Sequence, residues 1–429
     1  MKTDRYSALV RLVLPVLDAG IIIFLITVPI IMVTGGFGIT VAGITIKANS
    51  LFTPVSFLLP LVFLRLLVGH GWQNTFLVGI SVVVALAAIE GAIRIWSPPL
   101  ASPGMVQIHR ASPVLGYELV PGARGYGHLG ELYQINAHGF RDVELSIKKP
   151  ASVRRIMVIG DSFTFGMGVE LKDTYPKQLE SILNDQGIVS EVINCAVVGY
   201  NMWQYYEQLK NKVVDFGPDL VILGIYLNDL GRSTPPYRPG EPYSGENPFE
   251  PEPGNSKLRN KSVLWTFLHN ADTLFKYKNR HRGGYDYLKS IEKRKRRLGP
   301  ENKNYAIMTC TVEKEMLEAF SRTLEKMARE AERHHFGLLV VMIPDAVQLN
   351  EMHLKAVNRF VGNTCLGLGI PFIDLATFLE TDQDPLSLYL FPVDAHNSPR
   401  GLRMIAETIS SEIQKRGLSR IVTEREVPG

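Results

Sequence analysis

Three long apolar stretches dominate the first hundred residues, about Leu12–Thr34, Leu51–Gly69 and Thr75–Ile95. Each approaches the ~20 residues that a helix needs to cross ~30 Å of hydrocarbon, so the pattern predicts about three transmembrane helices. Trp72 and Trp96 bracket the third stretch, as aromatic side chains do at the two interfaces. Pro15, Pro29, Pro54 and Pro60 would break soluble helices but are tolerated in membrane ones. Between the first two stretches, Phe37–Ile46 alternates apolar residues around Ala42-Gly43 and predicts a short hairpin.

After Trp96 the pattern changes twice. Residues Ser97–Pro150 are rich in Gly and Pro and read as a linker leading into short strands. From Arg154 onward short apolar runs alternate with amphipathic helical stretches. The runs are Ile156–Ile159, Val192-Ile193, Leu220–Tyr226, Leu338–Ile343 and Phe372-Ile373. The helical stretches are about Tyr175–Gln186, Trp203–Phe216, Val312–His335, Glu351–Leu366 and Pro399–Lys415, the last opened by Ser398-Pro399 as cap and first residue. This alternation predicts an α/β domain whose parallel sheet is covered by helices on both faces. The expected organisation is a membrane anchor at 1–96, a linker with short strands at 97–150, an α/β domain at 151–418 interrupted by a 231–310 insertion, and a tail at 419–429.

Composition sharpens the split. The 429 residues hold 46 Lys and Arg and 42 Asp and Glu, yet only five of these charges fall between Leu12 and Ile95. A uniform soluble protein and a disordered chain are both excluded by that asymmetry. Three cysteines, Cys195, Cys310 and Cys365, are too few for a disulfide scaffold, though one pair could bridge in an oxidising compartment. A net charge of +4 gives no ground for nucleic-acid binding. Lys2, Arg5 and Arg11 precede the first stretch and place the N-terminus in the cytoplasm; three crossings then put everything after Ile95 outside.

In a parallel sheet the reactive residues gather beyond the carboxyl ends of the strands. The chain places its chemically capable residues there. Ser162 follows the first run, Gly199 the second, Asn228 the third, and Asp394 and His396 precede the final helix. A serine hydroxyl is a poor nucleophile until an imidazole takes its proton, and a carboxylate fixes the imidazole tautomer. An oxyanion needs preorganised donors, which the N–H groups of Ser162 and Gly199 and the amide of Asn228 would supply. Asp161 more plausibly shapes the turn than serves as the acid. His138, in an ordered-looking stretch, reads as a packed residue before a catalytic one.

Four blocks carry a resemblance. Gly160-Asp161-Ser162-Phe163-Thr164-Phe165-Gly166, then Gly199, then Gly224-Ile225-Tyr226-Leu227-Asn228-Asp229, then Asp394-Ala395-His396-Asn397-Ser398-Pro399-Arg400-Gly401 resemble, in that order, the conserved blocks of the SGNH (GDSL-type) hydrolases. The resemblance covers about Arg154–Gly417. It implies a three-layer αβα sandwich with a mostly parallel five-stranded sheet. It also implies Ser162 as nucleophile, His396 as base, Asp394 as its partner, and Ser162, Gly199 and Asn228 as the oxyanion hole. In many members the aspartate stands three residues before the histidine; here that position is Val393, and Asp394 stands two before.

The insertion opens with Gly231–Gly254, dense in Pro, Gly and Glu, which reads as a loop over the site edge. Ser262–Leu274 reads as a helix carrying Trp265 and Phe267. The basic run Lys293–Arg297 reads first as a solvated helix face, with anionic polysaccharide or lipid headgroups as the sharper alternative. His334-His335 lacks partners at ligand spacing, and neither a metal motif nor a phosphate loop is present, so no cofactor is expected. The whole reading is a membrane-anchored serine esterase or O-acyltransferase on the periplasmic or extracellular side of a bacterial inner membrane. Its substrate would be an acylated, above all acetylated, envelope glycan or a lipid ester. The rival readings are a non-catalytic glycan-binding module, which requires Ser162 and His396 to lie apart, and a scaffold subunit whose spans are the working part.

Overall fold

The structure is a computed structural model and describes residues 2–34, 37–41, 44–48, 52–101, 105–230, 262–280, 287–297, 299–311, 314–349 and 351–417. The expected loop Gly231–Gly254 and the tail 419–429 lie outside the described residues. The chain divides into two compact units. One comprises Met1–Pro103, His128–Gly130 and Glu252–Asp286, and the other the remainder. Elements are numbered in chain order across both.

The first unit holds helix α1 (Lys2–Thr34), strands β1 (Phe37–Val41) and β2 (Ile44–Ala48), helix α2 (Phe52–Trp96) and, from the insertion, helix α6 (Val263–Lys278). β1 and β2 pair antiparallel with Val41 opposite Ile44, the hairpin that the alternation predicts. α1 packs on α2 through a Phe24–Phe57 stack at 5.9 Å and an ion pair, Arg65 Nε to Asp18 Oδ1 at 2.6 Å.

Among the described residues, two helical segments, Leu12–Ile31 and Phe76–Trp96, are long and apolar enough to cross a membrane, where the sequence pattern predicts about three. The expected second span is instead the first limb of α2, which is assigned as one helix from Phe52 to Trp96. The Phe63 ring lies 3.7 Å from where a Cβ on Gly79 would sit. A straight helix would separate those residues by about 24 Å, so α2 folds back on itself. Within Phe76–Trp96 only Ile93 is buried, unlike a core helix of a soluble protein.

Glu90, near the end of that window, receives the start of α6. Its carboxylate accepts from Val263 N at 3.0 Å, Leu264 N at 2.9 Å and Ser262 Oγ at 2.9 Å, while Ser262 Oγ caps Trp265 N at 3.1 Å. A carboxylate there satisfies amides that the first turn cannot pair and complements the helix dipole.

The second unit is built on five strands: β7 (Arg154–Gly160), β8 (Ser190–Asn194), β9 (Leu220–Ile225), β10 (Gly337–Met342) and β11 (Phe372–Asp374). They form one parallel sheet in the order β11-β10-β9-β7-β8, with Ile156 in register with both Val192 and Leu220. β9 is buried at all six positions and β7 at six of seven, as a strand covered on both faces must be. The helices are α3 (Ser162–Phe165), α4 (Tyr175–Asp185), α5 (Met202–Asn211), α7 (Tyr287–Arg297), α8 (Lys303–Met308), α9 (Lys314–His334), α10 (Ala356–Gly367), α11 (Ala376–Leu379) and α12 (Pro399–Lys415). Right-handed crossovers place α4 on one face and α5, α9 and α10 on the other; α12 returns to pack on α4, and α5 packs on α9. The expected αβα sandwich is therefore present. The strand order reverses at β7, which sets the ends of β7 and β9 at the crevice where such sheets bind ligands.

Residues 104–127 and 131–150 belong to this same unit. Their hairpins, β3 (His109–Ser112) with β4 (Gly116–Leu119) and β5 (Arg124–Tyr126) with β6 (Leu132–Gln134), send Tyr117, Leu119, Tyr133 and, just beyond, Phe140 into the hydrophobic core. The stretch expected to be a linker thus packs as part of the α/β body.

Candidate active site

β7 ends at Gly160 because nothing larger fits: a Cβ there would meet Thr164 Oγ1 at 2.1 Å and Gly224 O at 3.0 Å. Asp161 then caps α3, its Oδ1 accepting from Phe163 N at 2.9 Å. α3 is a single turn that closes on Gly166 at φ +82°, a conformation costly for residues with a side chain. This strand–turn–helix delivers Ser162 to the carboxyl end of the sheet.

His396 arrives from the opposite end of the sequence. The loop leading to it is pinned by Leu390 N to His396 O at 2.8 Å and Asp394 N to Leu390 O at 3.2 Å. Behind it, Ser398 caps α12, and Gly401 is required because a Cβ would approach Leu388 O to 2.1 Å. The result is a continuous relay. Ser162 Oγ lies 2.7 Å from His396 Nε2, and His396 Nδ1 lies 2.5 Å from Asp394 Oδ1. The same carboxylate oxygen accepts from the His396 backbone N at 2.9 Å. The shorter aspartate spacing is therefore compatible with contact, because one oxygen holds both backbone and ring. With Nδ1–H donated to Asp394, Nε2 is left to accept from the serine hydroxyl.

The other two segments meet around Asp161. Gly160 O accepts from Val197 N at 3.1 Å, drawing the Gly199 loop against the end of β7. Asn228, in the turn after β9, is one of the groups that favour the Asp161 anion. Gly199 has φ +78°, and the Tyr117 hydroxyl lies 2.8 Å from its Cβ position. That hydroxyl donates to Val198 O at 2.9 Å, and the Tyr200 hydroxyl donates to Tyr117 O at 2.6 Å. Among the described residues, the backbone N–H groups of Ser162 and Gly199 have no protein acceptor. All five residues singled out in the sequence thus belong to segments gathered at one edge of the sheet.

The electrostatics favour proton transfer. Burial works against a charged His396 ring, but the Asp394 carboxylate and its hydrogen bond prevail and raise the ring's pKa above the ordinary value. Burial also raises Asp161, although Phe163 N, the imidazole, Asn228 and Ser162 all favour its anion. Asp229 is pushed well up by burial and then by the neighbouring Asp161.

Several contributors were invisible in the sequence. Arg141 is fully buried, and its guanidinium donates to Phe165 O, Gly166 O and Val169 O at 2.5, 2.7 and 2.6 Å, while lying over the Tyr133 and Phe165 rings. Burial lowers its pKa to about 10. Asp142 accepts from Asn194 N at 2.8 Å and Lys177 Nζ at 3.0 Å. His138 stands apart from the site; its Nε2 contacts Leu145 O at 3.0 Å and its ring packs on Phe216. The basic run divides: Arg296 stays exposed beside Glu292, whereas Arg294 turns inward to Asp345 and Tyr226. Cys195, Cys310 and Cys365 are all free thiols.

The chain matches the profile of the GDSL-like lipase/acylhydrolase family over residues 158–404, more than half its length. No curated protein matches it significantly. Among solved structures, TesA shares 14% identity, covering 61% of this chain and 99% of its own, at a TM-score of 0.35. A lipase/acylhydrolase from Enterococcus faecalis shares 13% over 61% and 96%, also at 0.35. Axe2, an acetylxylan esterase from Geobacillus stearothermophilus, shares 13% over 61% and 94%, at 0.36. The long family match, running from the end of β7 into α12, is what decides kinship, and the chain belongs to the GDSL-like lipase/acylhydrolase family, as an ester hydrolase.

Proposed function

We propose that this ester hydrolase works through a Ser162 acyl-enzyme on acyl esters, acetyl foremost, of a cell-envelope glycan or lipid. The observation that carries the reading is the relay from Ser162 through His396 to Asp394, at 2.7 and 2.5 Å. His396 Nε2 takes the hydroxyl proton as Ser162 Oγ bonds to the ester carbonyl carbon. Asp394 steadies the imidazolium without taking its proton. The Ser162 and Gly199 N–H groups and the Asn228 amide receive the oxyanion. Collapse breaks the ester C–O bond, and the imidazolium protonates the departing alkoxide. Water then resolves the acyl-enzyme with His396 again as base; a sugar hydroxyl in place of water would make the reaction a transfer.

A non-catalytic binding module requires Ser162 and His396 to be separated, and their 2.7 Å contact counts against it. A fluorophosphonate separates the readings directly. Full-length protein in detergent is expected to carry one adduct, on the peptide containing Ser162, and Ser162→Ala none. An unlabelled Ser162, or an adduct surviving in the variant, refutes the acyl-enzyme.

Membrane anchoring is supported by the two apolar spans. The basic residues ahead of the Leu12–Ile31 window support a cytoplasmic N-terminus. The fold-back of α2 supports its first limb as a further crossing, which carries the hydrolase unit to the outer side, where envelope esters lie. A reporter enzyme active only outside the cytoplasm, fused after Gly417, is expected to be active; an inactive fusion at normal expression rejects this orientation.

A further inference from the structure

The basic run contains one residue that behaves unlike its neighbours. Arg294, on insertion helix α7, donates from Nη2 to Asp345 Oδ2 at 2.6 Å and to the Tyr226 hydroxyl at 2.8 Å, and from Nε to Asp345 Oδ2 at 3.0 Å. The Tyr226 hydroxyl donates to the same carboxylate oxygen at 2.5 Å. Tyr226 and Asp345 are almost wholly buried, at 4% and 2% exposure, so this cluster is not a solvated surface pair. Asp345 is itself held, its Oδ1 accepting from Val347 N at 3.0 Å.

The cluster leads to the reacting groups. Tyr226 follows β9, and its ring lies flat on Phe163, centroids 3.9 Å apart and planes 22° apart. Phe163 is the residue after Ser162, and its ring stands 4.5 Å from the His396 imidazole. On the other side, the Tyr389 hydroxyl donates at 3.0 Å to Pro344 O, tying the loop before Asp345 to the segment that delivers His396. A guanidinium fork suits such a junction, because it can hold a carboxylate and a hydroxyl in fixed directions.

We propose that Arg294 is a positioning residue: by clamping Tyr226 and Asp345 from the insertion helix, it presses the Tyr226–Phe163 stack against His396 and fixes the imidazole for proton transfer. This rests on the roles given above to Ser162 and His396. A shift of about 1 Å in a reacting group can cost 10²-fold in turnover, so a wall that sets the ring's place governs kcat more than binding. Arg294 also presents a cation to His396, opposing protonation, whereas Asp394 and Asp161 favour it.

The test compares full-length protein, Arg294→Met, Arg294→Lys and Tyr226→Phe on 4-nitrophenyl acetate, with Arg296→Met as the control on the same helix. Arg294→Met is expected to lower kcat about 10- to 100-fold with KM within about twofold, and to move the acid limb of kcat/KM to higher pH. Arg294→Lys keeps the cation but not the fork, so it should restore the acid limb and only part of kcat. Tyr226→Phe should lose a smaller share of kcat, about three- to tenfold, and remains informative if Arg294→Met does not fold. Arg296→Met should match the parent. Wild-type kcat and acid limb in the folded fraction of both Arg294→Met and Tyr226→Phe would overturn the proposal, as would a purely thermal loss. If Ser162→Ala still hydrolyses, the acyl-enzyme reading has failed; if it is dead while Arg294→Met is normal, only the clamp has failed.

Discussion

Replacing Ser162 by alanine is expected to lower kcat about 10⁵- to 10⁶-fold, and His396→Ala by a similar factor, with the double variant no worse than either alone. In the proposed relay hydroxyl and imidazole, 2.7 Å apart, act as one device. A serine without a base and a base without a serine are equally unable to form the acyl bond. Asp394→Asn should cost about 10⁴-fold, because the neutral amide cannot stabilise the imidazolium and, where its NH2 donates to Nδ1, the wrong tautomer faces Ser162. Since Asp394 raises the His396 pKa, kcat/KM should climb with pH through a midpoint above the free-histidine value of about 6.5. Below that midpoint His396 is protonated and cannot serve as base. Steady-state kinetics on a soluble ester read all of this; additive losses, or a midpoint below 6.5, would contradict the shared relay.

Arg141→Met is the second large effect, expected in stability before chemistry. The guanidinium satisfies three carbonyls of the loop after α3, at Phe165, Gly166 and Val169. Phe165 O keeps a second donor in Asn194 Nδ2 at 3.3 Å, and Gly166 O keeps Val169 N at 3.3 Å. Gly166 O and Val169 O would lose a charge-assisted bond in a buried setting, at about 1–3 kcal/mol each. Losing the guanidinium from between the Tyr133 and Phe165 rings adds to that, for a total of about 3–5 kcal/mol. Thermal unfolding should move down by about 10 °C. Arg141→Lys should recover little, since one ammonium cannot span three carbonyls at these angles. An unchanged midpoint for Arg141→Met would mean that the loop holds itself.

The division between what could and could not be read from the chain has a physical pattern. Ser162 and Asn228 stood out because each follows a strand signal, and His396 because it precedes the final helix, each in a short block whose residue types match a chemistry. Asp394 was legible only in part: local spacing pointed to Val393, and what settles the contact is a loop closure between Leu390 and His396. The span count differs because Leu51–Gly69 runs on into the same assigned helix as the third apolar stretch, and among the described residues only Phe76–Trp96 of that helix is apolar enough to cross. Arg141, Tyr117 and Arg294 were illegible for a common reason. Each meets its partners far along the chain, Arg141 at Phe165, Tyr117 at Val198, Arg294 at Asp345. Periodicity assigns a residue to a face of its own element; it carries no information about which backbone carbonyl or carboxylate will stand opposite. The apparent linker misled similarly, because Gly and Pro mark turns, and turns join the buried strands of hairpins as readily as they fill loose tethers.

The order in which the chain supplies its parts has a consequence for biogenesis. The last strand, β11, is complete at Asp374, whereas Asp394, His396 and the covering helix α12 come afterwards. A nascent polypeptide can thus finish its whole sheet while the proposed proton acceptor is still waiting to be synthesised. Through that interval the emerging protein is shaped but chemically silent, and esters of the cell that makes it meet no working hydrolase until the final helix docks.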